Sequence, residues 1–313
     1  GADGDQPVGA AVVQGDEEAE AGDPVDPPGK GGADLLLQEL ASGRPEVEVG
    51  YLRGRRHVLR NVPRPVTVDA QSSDAPHGTW VVTGGARGVT AVVARELARR
   101  FGLKLHLIGS SPAPDVDPSW KSLSEADLKQ LRRSVMTQAR ESGKTPAREW
   151  SRVERAIDMD RTLAAYREAG VDATYHACDV SDADALAQTL AAIRAASGPI
   201  HGIIHGAGIE AACRFDRKQR EQVVSTIAVK VDSAFSLLNL TQDDPLEYFI
   251  GFGSTSGRFG GLGQTDYSLA SELLCKLCAA VRWLRPEVRA VGIHWPPWDE
   301  IGMAARPESR LAL

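Results

Sequence analysis

Apolar and polar positions change their period repeatedly along this chain, and the changes mark its elements. From residue 80 onward, short apolar runs alternate with longer amphipathic stretches. WVV, LKLHLIG, ATYHACDV, GIIHGAG, EYFIGFGS and VRAVGIHW read as strands. Between them AVVARELARRF, DRTLAAYREAG, ADALAQTLAAIRAAS, EQVVSTIAVKVDSAFSLLNL and the stretch after Tyr267 carry apolar residues at helical spacing. Strand and helix in strict turn predict a doubly wound parallel sheet, an α/β fold of the Rossmann-like kind. Its ligands belong at the carboxyl ends of the strands.

The rhythm fails in two places. Residues 1–33 are mostly Gly, Pro, Ala, Asp and Glu, too poor in large apolar side chains to repay their ordering entropy, and read as a linker. Residues 34–75 hold one helical pattern, LLLQEL, and then EVEVGYLRGRRHVLRNV, which alternates like two strands around an Arg-Gly turn. They predict a small N-terminal β appendage ahead of a main domain over 76–313. Within that domain, residues 110–160 form a charged, partly helical insertion between the second strand and the next regular helix.

Composition narrows the function. Against 42 acidic residues stand 36 basic ones, with no basic cluster interleaved with aromatics, so a nucleic-acid surface has no support. No uninterrupted apolar run of about 18 residues and no basic-then-apolar leader is present, which leaves no membrane role and points to the cytoplasm. The chain starts at Gly1 without methionine and reads as a piece of a longer one. Cys178, Cys213, Cys275 and Cys278 do not form a disulfide framework. Cys275 and Cys278 could be a redox pair or half a zinc site, but without a second ligand pair they read better as small core residues of a helix, and no metal is expected.

A candidate cofactor site follows the first strand of the main domain. The turn TGGARGVT offers Thr83, Gly84, Gly85, Arg87, Gly88 and Val89 where backbone amides at a helix N-terminus can receive a pyrophosphate. Thr90 stands where a third glycine is common. The second strand ends in Gly109 and Ser110 with no carboxylate to repel a 2′-phosphate, and Arg87 projects from the turn, so NADPH is expected over NADH. Asp179, with Val180 after the third strand, is placed either to meet an adenine amino group or to cap the next helix. Gly206, Ala207 and Gly208 leave the end of the fourth strand bare beside the adenosine.

Ser254 and Tyr267 lie thirteen residues apart behind this turn, a hydroxyl and a phenol beside a dinucleotide. A phenol near pKa 10 donates its proton readily at neutral pH only where a cation stabilises its anion. Four residues after Tyr267 stands Ser271, which is no cation, whereas Lys230 lies in AVKVDSAFSLLNLT on the preceding helix. Together these residues resemble the short-chain dehydrogenase/reductase superfamily, and within it the ketoreductase domains of polyketide and fatty acid megasynthases, over about Trp80 to Met303. The insertion, with Trp120, SEADLKQLRR and ESGKTP, resembles that of polyunsaturated-fatty-acid-synthase-type ketoreductases. The strand pair around Val47 to Val62 resembles the end of that family's structural subdomain.

The resemblance implies that Ser254 hydrogen-bonds a substrate carbonyl, that Tyr267 protonates it, and that Lys230 lowers the tyrosine's pKa and holds the ribose. Ser271 stands where the family usually has an asparagine that supports the lysine. The expected activity is NADPH-dependent reduction of a β-ketoacyl thioester on an acyl carrier protein, among neighbouring megasynthase domains. The rival expectations are a silent domain of the same fold and a free-standing reductase of a small ketone. Trp295 and Trp298 resemble the family's lid border and could equally be core aromatics, and Pro296 replaces a glycine there. The Leu-Asp-Asp signature of hydroxyl stereochemistry is absent at Glu210, Ala211 and Ala212, and Phe259 replaces the tryptophan of the opposite class.

Overall fold

The computed structural model of the chain describes residues 11–14, 32–44, 49–52, 55–58, 60–63, 75–120 and 123–298. The chain divides into two units, residues 1–74 and 75–313. In the first, β1 (Ala11–Gln14) pairs antiparallel with β4 (Arg60–Pro63), and β2 (Val49–Leu52) pairs with β3 (Arg55–Val58) in the expected hairpin. Helix α1 (Gly32–Ala41) supplies Glu39, which accepts hydrogen bonds from Tyr51 at 3.0 Å and Arg56 Nε at 2.8 Å. The Arg56 guanidinium holds the Glu39 carboxyl down at about 2. Strand β1 lies inside the stretch expected to be linker; AVV is the one place in that stretch where two valines adjoin. The rest of that linker, residues 1–10 and 15–31, lies outside the described residues.

The second unit holds a six-stranded sheet of β5 (Thr79–Thr83), β6 (Lys104–Gly109), β7 (Ala173–Ala177), β8 (Ile200–His205), β9 (Tyr248–Ser254) and β10 (Arg289–Trp295). Their order is β10-β9-β8-β5-β6-β7 and every pairing is parallel. The order reverses between β5 and β8, where a doubly wound sheet opens its ligand crevice. Strand β5 is buried along its whole length because it is central and covered on both faces. Its side chains alternate between two cores: Val81 joins apolar residues of α5 (Ala183–Ser197), α7 (Ser233–Leu240) and α9 (Thr265–Leu284), while Trp80 and Val82 join those of α2 (Gly88–Phe101) and α4 (Pro146–Glu168).

Two elements differ from the sequence pattern. The insertion folds as α3 (Glu125–Glu141) against the first half of α4, around Val116, Trp150, Val153 and Ile157. Helix α4 then runs straight through residue 160 into the stretch DRTLAAYRE, so insertion and crossover share one 23-residue helix. Pro146 sets its first turn, and no glycine or proline interrupts it before Gly170, which follows its C-cap with φ +69°. The helix expected over residues 221–240 is present but not regular: α6 (Arg220–Ile227) passes into a π turn over Ala228–Asp232 before α7. This run, Arg220–Leu240, is the one described helix long and apolar enough to cross a membrane by length and composition. Its apolar residues Ala234, Leu237 and Leu238 belong to the main core, which accounts for the composition.

Candidate active site

The glycine turn joins β5 to α2 and is shaped by missing side chains. Gly84 has φ +71°, and a Cβ there would stand 2.8 Å from the carbonyl oxygen of Gly206. Gly206 in turn has no room for a Cβ, because Thr90 Oγ1 fills the place. The departure from glycine at position 90 thus has a structural use: its side chain packs against the bare end of β8. Arg87 at the helix N-cap contributes no side-chain cap, which leaves the first amides of α2 to an outside acceptor. These features fit a dinucleotide pyrophosphate. Gly85 is tied from behind, where the buried Tyr166 hydroxyl of α4 is shared between the carbonyls of Gly85 and Ala91 at 3.0 and 3.1 Å.

At the carboxyl ends of β6 and β7, the Tyr175 hydroxyl of β7 is shared between the carbonyls of Gly109 and Ser111, at 3.0 and 2.6 Å. It braces the backbone around Ser110. Burial raises the Tyr175 phenol and the Arg87 charge pulls it back, so the guanidinium acts on the same corner where a 2′-phosphate is expected. Asp179 accepts from the Ser181 amide and hydroxyl at 3.0 and 2.7 Å, and the cap of α5 is Asp182. The helix-cap alternative for Asp179 is therefore excluded. Val180 is buried in the core beneath it.

Lys230 projects from the π turn with its residue only 2% exposed. Its Nζ donates to the Phe252 carbonyl at 2.8 Å and stands 5.3 Å from the centre of the Tyr267 ring. A Cβ on Gly208 would come within 3.3 Å of the same Nζ, so the bare end of β8 is also what admits the lysine. Burial pushes Lys230 down to about 8, which leaves it protonated at neutral pH. Tyr267, on the first turn of α9, is raised by burial first and by the Glu210 carboxylate second, and the hydroxyls of Ser254 and Ser271 oppose the rise. In the free site, then, burial outweighs any lowering of Tyr267 by Lys230. Ser254 ends β9 and caps the short helix α8 (Thr255–Phe259); its Oγ lies 2.7 Å from Ser256 Oγ. The structure therefore gathers Ser254, Tyr267, Lys230 and Ser271 at one place.

Sequence reasoning missed the residue that holds the lysine turn. His205, fully buried at the end of β8, bonds the Lys230 carbonyl through Nε2 at 3.0 Å and Thr83 Oγ1 through Nδ1 at 2.7 Å. Thr83 Oγ1 also accepts the Ala207 amide at 3.2 Å. The Lys230 carbonyl needs the proton on Nε2, and burial keeps the ring neutral, down at about 4, so that Nδ1 accepts from Thr83. A histidine inside an apolar strand was the available signal. Cys275 and Cys278 have thiols raised by burial to about 11 and 12 and pack against Gly253 and Gly251, as core residues do. Trp295 joins the second core edge-on to Phe252, 5.3 Å between centroids, and Trp298 meets it edge-on at 5.5 Å.

Comparison with known proteins agrees with this geometry. Residues 78–300 match the family described as KR domain. The chain belongs to that family, a ketoreductase domain of the short-chain dehydrogenase/reductase fold. It is 28% identical over 232 residues to a polyunsaturated fatty acid synthase of Thraustochytrium, covering 70% of this chain and 8% of that one. To polyketide synthase PksL of Bacillus subtilis it is 28% identical over 279 residues, 87% of this chain and 5% of that protein. It therefore spans less than a tenth of these relatives, which are large multidomain synthases. Among solved structures, a ketoreductase domain from the bacillaene assembly line matches with TM-score 0.63 and 26% identity, covering 88% of this chain and 58% of the other. A-type ketoreductases from a modular polyketide synthase match with TM-score 0.67 and 26% identity, covering 89% and 50%.

Proposed function

We propose that this ketoreductase domain uses NADPH to reduce a β-ketoacyl group, held as a thioester on an acyl carrier protein, to the β-hydroxyacyl form. The observation that carries the reading is Lys230, a buried cation aimed across the Tyr267 ring from a π turn, with Ser254 at the end of the adjacent strand. When bound, NADPH supplies the hydride. The protein must then meet the charge that develops on the carbonyl oxygen. Ser254 and Tyr267 aim two donors at that oxygen, and Tyr267 gives up its proton. Lys230 holds positive charge beside the phenol as it becomes an anion, and its remaining ammonium donors suit the ribose hydroxyls. The glycine turn and the α2 amides would hold the pyrophosphate, and Arg87 with Ser110 the 2′-phosphate.

The neighbouring synthase domains and the carrier protein belong to this same reading, supported by the multidomain relatives. Purified protein should oxidise NADPH in the presence of a β-ketoacyl thioester or a ketone surrogate, and Tyr267→Phe should lower kcat by about 10²- to 10⁴-fold while NADPH still binds. Turnover that survives this change removes Tyr267 as the proton donor. One observation favours a second reading, a domain that keeps fold and cofactor without turnover: the buried Ser271 Oγ has no hydrogen-bond partner where the family's asparagine would support the lysine. NADPH binding without oxidation in the same assay would select it.

A further inference from the structure

We propose that Lys218 and Asp266 form a positioning pair that fixes loop 209–219 as a wall beside Tyr267, setting where the substrate sits without touching substrate or cofactor. The proposal rests on the reductase reading above. Lys218 Nζ stands 2.8 Å from Asp266 Oδ1, with the two side chains 5% and 3% exposed. Around the lysine most of the loop is exposed, and Phe215 at its tip is 78% exposed. A buried ion pair repays its desolvation only where further hydrogen bonds complete both groups. Here they do: Lys218 also donates to the Ala211 carbonyl at 3.2 Å, and Asp266 Oδ1 accepts the Tyr267 amide at 3.0 Å. Thr226 Oγ1 donates to Asp266 Oδ2 at 3.4 Å, which brings in α6.

Two weaker ties run the same way. The Cys213 amide donates to the Gly263 carbonyl at 2.9 Å, and Gln264 Nε2 donates to Glu210 Oε1 at 3.3 Å. All three ties join the loop to residues 263–266, immediately ahead of Tyr267. The Asp266 carboxylate that takes Lys218 also takes the Tyr267 amide, so the loop is anchored on the residue next to the phenol. With few apolar contacts of its own, the wall keeps its place through these polar ties, and the ion pair is the only one of the three that is buried and charged. Losing it frees the loop while leaving the glycine turn and β5 untouched.

The test compares Lys218→Met, Lys218→Arg and Asp266→Asn with the parent chain, first by hydrogen exchange, which needs neither cofactor nor substrate. In Lys218→Met the amides of 209–217 should exchange about tenfold faster or more, while those of β5 and β8 do not change. NADPH affinity should stay within about twofold, the KM for a ketone surrogate should rise about tenfold, and kcat should change far less. Lys218→Arg should restore most of the loss, because it keeps the charge. Unchanged exchange in 209–217 overturns the proposal. So does faster exchange spread evenly over β5 and β8 with loss of NADPH binding, the pattern of a merely structural pair. If Lys218→Met does not fold, Asp266→Asn, which keeps the side chain's shape and the Oδ1 acceptor but loses the charge, must show the same local acceleration or the proposal falls. A parent chain without turnover would remove the reductase reading and leave the exchange result to decide the pair.

Discussion

The turn after β5 and the first turn of α9 serve the same end of the sheet, yet they are built by opposite means. Around Gly84, Gly206 and Gly208 the site is a set of missing side chains, its backbone polar groups braced by Thr83, Tyr166 and Tyr175. Around Tyr267 it is a set of buried charges and hydroxyls. The buried side-chain atoms without a hydrogen-bond partner among the described residues, on Ser268, Ser271, Glu272, Arg285 and Trp295, all fall in α9 or C-terminal to it. The pyrophosphate and adenosine of a dinucleotide take no part in the chemistry and ask for a rigid cradle. A reacting carbonyl asks for groups whose charge can change, and such groups destabilise the fold that holds them.

Lys230→Met tests that contrast most severely. It should reduce kcat/KM by about 10²-fold or more, yet raise thermal stability at neutral pH, because a buried cation is replaced by an apolar chain of similar length. The pH dependence fixes the sign. Lys230 is lowered from 10.5 to about 8 by burial, so between those values the unfolded chain holds a proton that the folded chain has released. Stability should therefore climb as pH rises from about 8 to 10.5, and that increment should vanish in Lys230→Met. Over the same rise the free protein's affinity for NADPH should weaken as the lysine loses its charge. A variant less stable than its parent at pH 7 would break the contrast.

Gly84→Val should give the opposite pattern. At φ +71°, with a Cβ only 2.8 Å from the Gly206 oxygen and 3.0 Å from the Ala207 amide nitrogen, no side-chain rotation relieves the contact. The expected cost is about 1–3 kcal/mol, read as a lower Tm, together with a weaker NADPH Kd measured by cofactor fluorescence. A Tm equal to the parent's would mean that the turn has slack, and that the cradle is less rigid than its contacts imply.

Legibility in the sequence divides along the same line. The strands, the glycine turn and the Ser254–Tyr267 pair are local patterns, readable because period and spacing are properties of neighbouring residues, whereas Lys230 was legible only through the family resemblance. The π turn was not legible, because its apolar spacing is nearly that of an unbroken helix and the His205 side chain that bonds the Lys230 carbonyl comes from another element. Lys218 and Asp266 lie in separate elements, and nothing in the run RFDRKQRE distinguishes a buried lysine from a solvated one. Position 160 reads as a boundary because the insertion's charge hides the continuity of α4, although the absence of any breaker between Pro146 and Gly170 points to it.

The smallest effect is expected at Ser271, where the departure from the family is local. The residue is fully buried, and a Cβ on Gly257 would stand 3.1 Å from its own Cβ, so α8 and α9 meet there with no spare volume. Ser271→Ala should lower turnover by no more than about threefold, since of the groups that shift the Tyr267 phenol the Ser271 hydroxyl acts least. Ser271→Asn, which restores the family's residue, should instead cost about 1–3 kcal/mol through overpacking against α8. Serine would then be the residue that this close helix contact permits, with the lysine held by His205 from behind. An asparagine variant that gains turnover at no cost in Tm would show the reverse, that the parent site lacks a support it has room for.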